Sequence, residues 1–347
     1  MTIGFEQNNR TVSTFILTLG ALPGIGPAKL REILSASKAQ IQKTDLLDEA
    51  FARSLNNGSI DKGLAKLAEA DASWNSLEEA ADTILERAFS EGIHVLNPYM
   101  DEYPRRLLFN DRFPTIFYCM GNASILNPEK AVAIIGTRNP TDFGERMGRR
   151  LSSLLAEDDY VVVSGLALGC DTIAHEGTLE VGGKTIAVLP TPINSPVYPK
   201  QNQRLAERIV ENDGLLFSEY PPGVPLVDRQ LVRNLVARDE WQPGLSDGVI
   251  AMETSVDGGT THAIEHAKST QTPFAVFDYS SRTEMRFTEN ERFGGNVKYL
   301  NEGACPIFAP ETIDIFKTKM DEYRQIHSQG DSRSDSAEYG QLTLFPD

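Results

Sequence analysis

The part of the chain from 130 to 310 alternates short apolar runs with segments of helical periodicity. The apolar runs predict strands at 131–136, 160–164, 184–190, 214–218, 247–253 and 273–277. Strands that alternate with helices of this length form right-handed βαβ units around a mostly parallel sheet. The runs are apolar along nearly their whole length, as expected of strands that helices cover on both faces. The pattern therefore predicts an α/β fold with a doubly wound sheet.

The regions on either side of this core have different patterns. Residues 1–90 carry apolar residues at helical spacing among acidic ones, which predicts a small helical domain. Residues 91–128 are short extended pieces interrupted by Pro and Gly, typical of a connection that packs on the sheet. We place the core at 129–318. The chain at 319–347 is polar and without periodicity, which predicts a disordered tail.

Charge and cysteine content narrow the functional classes. The formal net charge of −16 argues against a generally basic surface, so any contact with nucleic acid must be local. The three cysteines are widely spaced and form no metal-ligand pattern, and their odd number fits a reduced cytosolic protein. Without a signal-like segment or an apolar stretch of membrane-spanning length, we expect a cytoplasmic protein that has no membrane contact, cofactor or metal.

Two of the predicted strand ends carry turns suited to binding an anion. These turns contain small and polar residues in IIGTR and VVVSGLALGC: Gly136, Thr137, Arg138, Ser164, Gly165 and Gly169. Parallel strands deliver backbone N–H groups to an anion at the N-terminus of the following helix. The guanidinium of Arg138 matches a phosphate bidentately. We therefore expect one binding site that both turns share.

Further lysines lie close to predicted strand ends. Lys184 belongs to GGKT, which precedes a strand and lacks the spacing of a P-loop, so we reject an NTPase but keep Lys184 as a candidate ligand contact. Lys200 and Asn202 belong to YPKQN, on a loop after a strand. Asp171 and His175 share a helix face. Because no nucleophile or metal cluster accompanies them, we expect a structural role and a binding protein, not an enzyme.

A third turn leaves a nucleotide-binding alternative open. Gly258, Gly259 and Thr260 precede a helix that carries Glu265. This turn resembles the phosphate-binding turn of proteins related to cytokinin-activating phosphoribohydrolases. A nucleotide sensor or a phosphoribohydrolase-like protein on the same core is therefore the second hypothesis.

The segment LPGIGPAKL resembles a helix-hairpin-helix. Gly24 and Gly26 allow a tight turn, and Pro27 suits the first position of the next helix. In that motif the turn amides and a following lysine, here Lys29, bind a nucleic-acid phosphate. The alternative is an αα-hairpin in a protein-interaction module.

These motifs together resemble one family. The DNA-processing protein A family, also called Smf, shares the order and spacing of IIGTR, SGLALGCDTIAHEGTL, GGKTIAVL, YPKQN, SEYPPG and GLSDGVI. The resemblance implies an extended Rossmann-like core that binds single-stranded DNA, a helical (SAM or helix-hairpin-helix-like) N-terminal domain, and homodimerisation. It also implies that the protein protects single strands during natural transformation, helps to load the RecA recombinase, and is not an enzyme.

The chain departs from the family pattern beside the expected groove. A stretch that is usually doubly basic here reads ARDEWQPGLSD, with Arg238 retained and with Asp239 and Glu240 acidic. These changes lower the positive potential on which phosphate binding depends, and they bring the site closer to a nucleotide pocket. The leading hypothesis is a strand-binding protein whose phosphate contacts are Arg138, Lys184, Lys200 and Arg238.

The last residues contain a second short motif, QLTLF. It resembles the peptide by which bacterial replication and repair proteins bind the DNA polymerase sliding clamp. In that mode Gln341 enters one subsite and the apolar residues Leu342, Leu344 and Phe345 contact the clamp. The alternative is an apolar terminus without a specific partner.

Overall fold

The computed structural model describes residues 2–37, 71–109, 112–226, 229–282 and 286–334. Its N-terminal part contains the helices α1 (Thr2–Gly20), α2 (Pro27–Ser37) and α3 (Asp71–Ser90). The helices α1 and α3 pack together, with the Phe15 and Trp74 ring centroids 5.7 Å apart. The predicted N-terminal helices are therefore confirmed.

The described strands form one sheet. Their bounds are β1 (His94–Leu96), β2 (Phe117–Gly121), β3 (Ala131–Ile135), β4 (Val161–Ser164), β5 (Thr185–Val188), β6 (Leu215–Ser218), β7 (Val249–Ala251), β8 (Phe274–Phe277) and β9 (Cys305–Ile307). The strand order is β1-β2-β6-β5-β4-β3-β7-β8-β9. Strands β3 to β9 pair in parallel, whereas β1 and β2 are antiparallel. The predicted α/β fold and its mostly parallel sheet are confirmed.

Helices connect the parallel strands and cover the sheet. Their bounds are α4 (Asp142–Glu157), α5 (Cys170–Glu180), α6 (Gln203–Glu211), α7 (Gln230–Arg238), α8 (Trp241–Gly244), α9 (Thr260–Ser269), α10 (Gly294–Asn301) and α11 (Pro310–Ser334). Strands β3 and β4 are buried along their whole length. The N-terminal helices share one apolar cluster with the sheet, in which Ile16 and Leu19 join Leu189 and Leu216.

Three features of the fold differ from the sequence prediction. The connecting region contributes β1 and β2 to the sheet edge. Strand β9 contains Pro306 and was missed, because Pro is tolerated at sheet edges but breaks the apolar pattern. The helix α11 continues to Ser334, beyond residue 319 where the sequence predicted disorder. Its apolar side of Ile313, Phe316 and Met320 is buried against the sheet, and this packing stabilises an otherwise polar helix.

The direction of strand addition reverses at β3. The connections through α4, α5 and α6 place β4, β5 and β6 on one side of β3, and β7, β8 and β9 lie on the other. Open α/β sheets bind ligands at the carboxyl ends of the strands beside such a switch point. Among the described residues, no helix is long and apolar enough to cross a membrane.

Candidate functional site

Two turns meet at the carboxyl ends of β3 and β4. The first turn comprises residues 136–141 and the second comprises 165–169. The backbone N–H of Cys170 donates to the Thr137 carbonyl at 3.1 Å, and the Thr137 N–H donates to the Glu253 carbonyl at 2.7 Å. The first turn is thus fixed between α5 and the end of β7. Ser164, which the sequence predicted to contact the ligand, is buried, and its hydroxyl donates to the Ile134 carbonyl at 2.6 Å.

Asn202 attaches the loop after β5 to the second turn. Its side-chain amide donates to the carbonyls of Leu166 and Ala167 at 2.8 and 3.2 Å, and to Thr172 Oγ1 at 2.9 Å. Because these bonds use the amide inside the protein, Asn202 is a positioning residue for the loop. The sequence predicted a direct DNA contact here, but the buried side chain faces protein atoms.

Arg238 lies behind the second turn and is only 5% exposed. It donates to the Val188 carbonyl at 3.2 Å and forms ion pairs with Asp239 at 3.1 Å and Asp171 at 3.9 Å. A Cβ added at Gly165 would lie 1.3 Å from Arg238 Nη1, so the guanidinium occupies the space that the glycine leaves. The predicted role of Arg238 as a phosphate contact is wrong for this arrangement, in which the guanidinium supports the turn.

The other predicted glycines also make room for protein atoms. A Cβ at Gly136 would lie 2.6 Å from Cys170 Sγ, and one at Gly169 would lie 2.5 Å from the Thr137 carbonyl oxygen. Gly169 also has a φ of +78°, which favours glycine. The sequence predicted close approach of a ligand at these positions. The structure uses them to bring the two turns into contact with each other.

Arg138 and Lys200 are two exposed cations at this edge. The second turn lies between them, since Gly169 contacts the backbone of Arg138 and Asn202 fixes the Lys200 loop. Within the described parts of the chain, neither side chain has an ion-pair partner. Leu168, in the second turn next to Gly169, and Tyr198, two residues before Lys200, are each 37% exposed. The edge therefore combines two free cations with apolar surface.

Lys184 lies at the opposite edge of the sheet. It precedes β5, at the amino ends of the parallel strands, and its ammonium pairs with Asp213 at 2.9 Å. The prediction that Lys184 points to the ligand groove is therefore wrong. Residues that follow a parallel strand lie at the carboxyl edge, where the site is, whereas Lys184 precedes its strand and therefore lies at the amino edge.

The Asp171–His175 pair belongs to the scaffold. His175 is fully buried, and its Nδ1 lies 2.7 Å from Thr185 Oγ1. Burial lowers the pKa of His175 to about 3, so the ring is neutral. Asp171 accepts from the Ala167 N–H at 3.2 Å. Each member thus has a separate structural partner.

Asp239 and Glu240, the acidic residues where the chain departs from the family pattern, lie next to the site. The carboxylate of Asp239 accepts from Gln242 Nε2 at 3.1 Å, and burial raises its pKa to about 6. The fields of Arg138 and His262 also reach this carboxyl group. Glu240 pairs with Arg112 at 3.6 Å and lies 3.9 Å from His266 Nδ1.

The third turn follows β7, whose carboxyl end lies beside that of β3. Gly258, Gly259 and Thr260 lead into α9, after β7, and Glu265 of that helix pairs with Lys268 at 3.2 Å on an exposed face. In the described part of the chain, no group of three or more His, Cys, Asp or Glu residues is arranged to hold a metal ion.

The hairpin has the expected tight turn between α1 and α2. Gly24 has a φ of +87°, and no heavy atom lies within 4 Å of a Cβ placed on Gly26. The ammonium of Lys29 already pairs with Glu32 at 3.1 Å. The QLTLF residues Gln341, Leu342, Leu344 and Phe345 lie outside the described residues.

Sequence reasoning missed one residue of the switch point, Glu253. This carboxylate follows β7 and accepts from the Thr141 N–H, the Thr141 hydroxyl and the Tyr279 hydroxyl, at 2.8, 2.7 and 3.0 Å. The available signal was an acidic residue directly after the apolar run GVIAM. It was overlooked because Glu253 has no small-residue turn beside it.

Comparison with known proteins identifies the family. The profile of DNA recombination-mediator protein A matches residues 94–316, which include every strand and both turns of the site. The chain belongs to this family. Protein Smf of Synechocystis is 32% identical over 259 residues, which cover 72% of this chain and 61% of the relative. The chain therefore matches about three fifths of that relative's length.

Solved structures of DprA proteins share the fold. DNA processing protein A from Helicobacter pylori, which has a unique single-stranded DNA binding mode, is 28% identical. It superposes with a TM-score of 0.55 over 67% of this chain and 97% of its own. DprA from Streptococcus pneumoniae, at 24% identity, has a TM-score of 0.60 over 83% and 97% of the two chains. The predicted DprA/Smf membership is confirmed.

Proposed function

We propose that this chain binds single-stranded DNA across the carboxyl edge of its sheet, with Arg138 and Lys200 on the phosphates. The observation that carries the proposal is that two exposed cations, with no ion-pair partner among the residues that the structure describes, lie on either side of a fixed turn. In a protein of net charge −16, such cations are the positions where a polyanion is attracted. The H. pylori relative and its single-stranded DNA support the same ligand class.

The apolar residues at this edge favour unpaired bases over a duplex. Leu168 and Tyr198 expose apolar and aromatic surface next to the cations. Bases of a single strand stack on aromatic side chains, whereas the bases of a duplex are already stacked on each other. A strand whose phosphates contact Arg138 and Lys200 can therefore place bases on Tyr198 and Leu168.

In this proposal the protein is a binding factor in DNA uptake, processing and recombination, not an enzyme. It protects incoming single strands and assists the loading of RecA, as a homodimer. Family membership supports the link to recombination. The buried, structurally paired His175 and Asp171 do not contribute a catalytic pair.

The test is a titration of the protein against single- and double-stranded oligonucleotides over a series of salt concentrations. We expect tighter binding of the single strand and an affinity that falls with salt, because phosphate contacts release counterions. Equal affinity for duplex, or no binding at low salt, would contradict the proposal.

The second candidate function is nucleotide sensing or a phosphoribohydrolase-like activity. The observation that favours it is the Gly258–Thr260 turn, which leads into the N-terminus of α9, the end of a helix that favours an anion. Incubation with nucleotides separates the candidates. Released base, or a thermal shift with nucleotide in a protein that does not bind single strands, would favour this candidate.

We also propose that QLTLF binds the sliding clamp. The motif follows α11, which is held at the amino ends of the strands by the ion pair of Arg324 with Asp247 at 3.2 Å. Deletion of residues 339–347 should abolish co-elution with purified clamp and leave strand binding unchanged. A matched Leu344→Ala, Phe345→Ala variant should behave like the deletion, and retained co-elution in both would exclude this role.

A further inference from the structure

The N-terminus of α4 is where a doubly wound fold commonly binds a phosphate. The helix follows β3, the strand at which strand addition reverses. The amides of the first helical turn and the helix dipole favour a negative charge at this point. Thr141 caps the helix, and its Oγ1 accepts from the Gly144 N–H at 3.0 Å.

A side chain of the protein already fills this position. Glu253 arrives from β7, on the other side of the switch point, and is 0% exposed. Its Oε2 accepts from the Thr141 N–H at 2.8 Å, while its Oε1 accepts from Thr141 Oγ1 at 2.7 Å and from the Tyr279 hydroxyl at 3.0 Å. Three donors converge on a group that only accepts, as they would on a bound anion.

Two glycines near the N-terminus of α4 leave no free space there: Gly144 packs against the Glu253 carboxylate and Gly136 packs against Cys170. A Cβ at Gly144 would lie 2.1 Å from Glu253 Oε1, and one at Gly136 would lie 2.6 Å from Cys170 Sγ. In a nucleotide-binding fold, glycines at these points let the pyrophosphate approach the backbone. Here the corresponding space holds protein atoms, so a phosphate could enter only by displacing Glu253.

We propose that Glu253 is a built-in anion that replaces a ligand phosphate at the N-terminus of α4. It is thereby a specificity-determining residue, because it repels a phosphate from the crevice and leaves the outward-facing Arg138 and Lys200 for a strand. The statement that Arg138 and Lys200 are left for a strand rests on the proposed function, whereas the role of Glu253 as an internal anion does not.

The test is phosphate rescue of Glu253→Ala, followed by thermal unfolding. Removal of the carboxylate leaves the Thr141 and Tyr279 donors without an acceptor, so Tm should fall by several degrees. Inorganic phosphate should then raise the Tm of the variant saturably, because it binds the folded protein only. Sodium chloride at the same ionic strength should not, and the wild-type protein should show no such rise.

Asn296→Ala is the matched control. Asn296 is equally buried beside the site, and its amide donates to the Met252 and Phe277 carbonyls at 2.8 and 3.0 Å. Its loss should lower Tm without creating an anion site, so phosphate should not rescue it. Equal rescue of both variants, or no rescue of Glu253→Ala, would overturn the inference.

Glu253→Gln keeps the shape and tests the charge even if the alanine variant fails to fold. Its oxygen can accept from the Thr141 N–H while its N–H₂ donates to the Thr141 and Tyr279 hydroxyls, so only the charge-assisted part of these bonds is lost. Its Tm should therefore fall by less than that of Glu253→Ala and should not respond to phosphate. A glutamine variant as stable as the wild type would overturn the inference. Strand binding is measured separately: phosphate rescue without strand binding rejects only the proposed function, and strand binding without rescue rejects only the role of Glu253.

Discussion

At the scale of single residues, the site separates side chains that face solvent from those that support the turns. Arg138 and Lys200 face solvent, whereas Arg238 and Asn202 are committed to bonds inside the protein. All four belong to polar loop motifs, and their sequence context does not separate the two roles. The partners that decide the roles, Val188, Asp171 and Leu166, come from other elements of the fold.

We expect the proposed strand binding to depend on pH through Asp239. Because its pKa is raised to about 6 by burial, raising the pH through that value ionises a carboxyl group within the field of Arg138 and weakens attraction for phosphate. We expect strand affinity to increase by up to about tenfold as the pH falls through this range, and Asp239→Asn to remove that part of the dependence. Fluorescence anisotropy with a labelled single strand measures both.

The control for this prediction is Glu240→Gln, which removes a neighbouring negative charge that pairs with Arg112. It should raise affinity by a similar factor at each pH. The readout is the difference between wild type and Asp239→Asn, which isolates the pH dependence that this carboxyl group contributes. Identical pH profiles for these two proteins would refute the role of Asp239.

At the scale of elements, the turns hold their shape through contacts between segments that are distant in sequence. The second turn contacts the first turn through Gly169, the loop after β5 through Asn202, and the end of α7 through Arg238. The site is thus a property of how four connections pack at one sheet edge.

Gly165→Ala should destabilise the protein because its Cβ would overlap the guanidinium of Arg238. Overpacking of this kind costs about 1–3 kcal/mol of unfolding free energy. The matched control is Gly26→Ala, since no heavy atom lies within 4 Å of the added Cβ there. Chemical denaturation compares the two, and equal midpoints would show that Arg238 yields without cost.

Asn202→Ala should lower strand affinity severalfold although it removes no charge. Its three hydrogen bonds fix the loop that carries Lys200, and leaving buried partners unpaired costs about 1–3 kcal/mol. Asn212→Ala is the control, because that exposed amide donates only locally, to the Arg208 carbonyl at 2.7 Å. Oligonucleotide titration of both variants should separate them; unchanged affinity in Asn202→Ala would remove its positioning role.

The elements themselves were more predictable than the site. Strands β3 to β8 were found because buried parallel strands are continuously apolar, and that signal is local. Strand β9 and α11 lack it: Pro306 interrupts the first, and tertiary packing of Phe316 and Met320 stabilises the second. The functions of Gly165 and Arg238 could not be predicted, because they depend on a contact between two distant segments.

At the scale of the whole molecule, the edge with the two turns and the last described helix lie at opposite ends of the strands. The turns with Arg138 and Lys200 are at the carboxyl ends of the strands. The helix α11 returns to the amino ends, where Arg324 and Arg106 pair with Asp247 and the His327 ring stacks on Phe109 at 4.5 Å.

The central claim is that Arg138 and Lys200 contact the phosphates of a single strand. The most direct test is a salt-dependent titration of single-stranded oligonucleotide with Arg138→Ala, Lys200→Ala and Lys184→Ala. Each of the first two should weaken binding by about 1–3 kcal/mol and reduce the salt slope by about 0.7, the loss of one phosphate contact. Lys184→Ala removes the same charge at the opposite edge and should match the wild type. Equal affinities and slopes for all three variants would contradict the account.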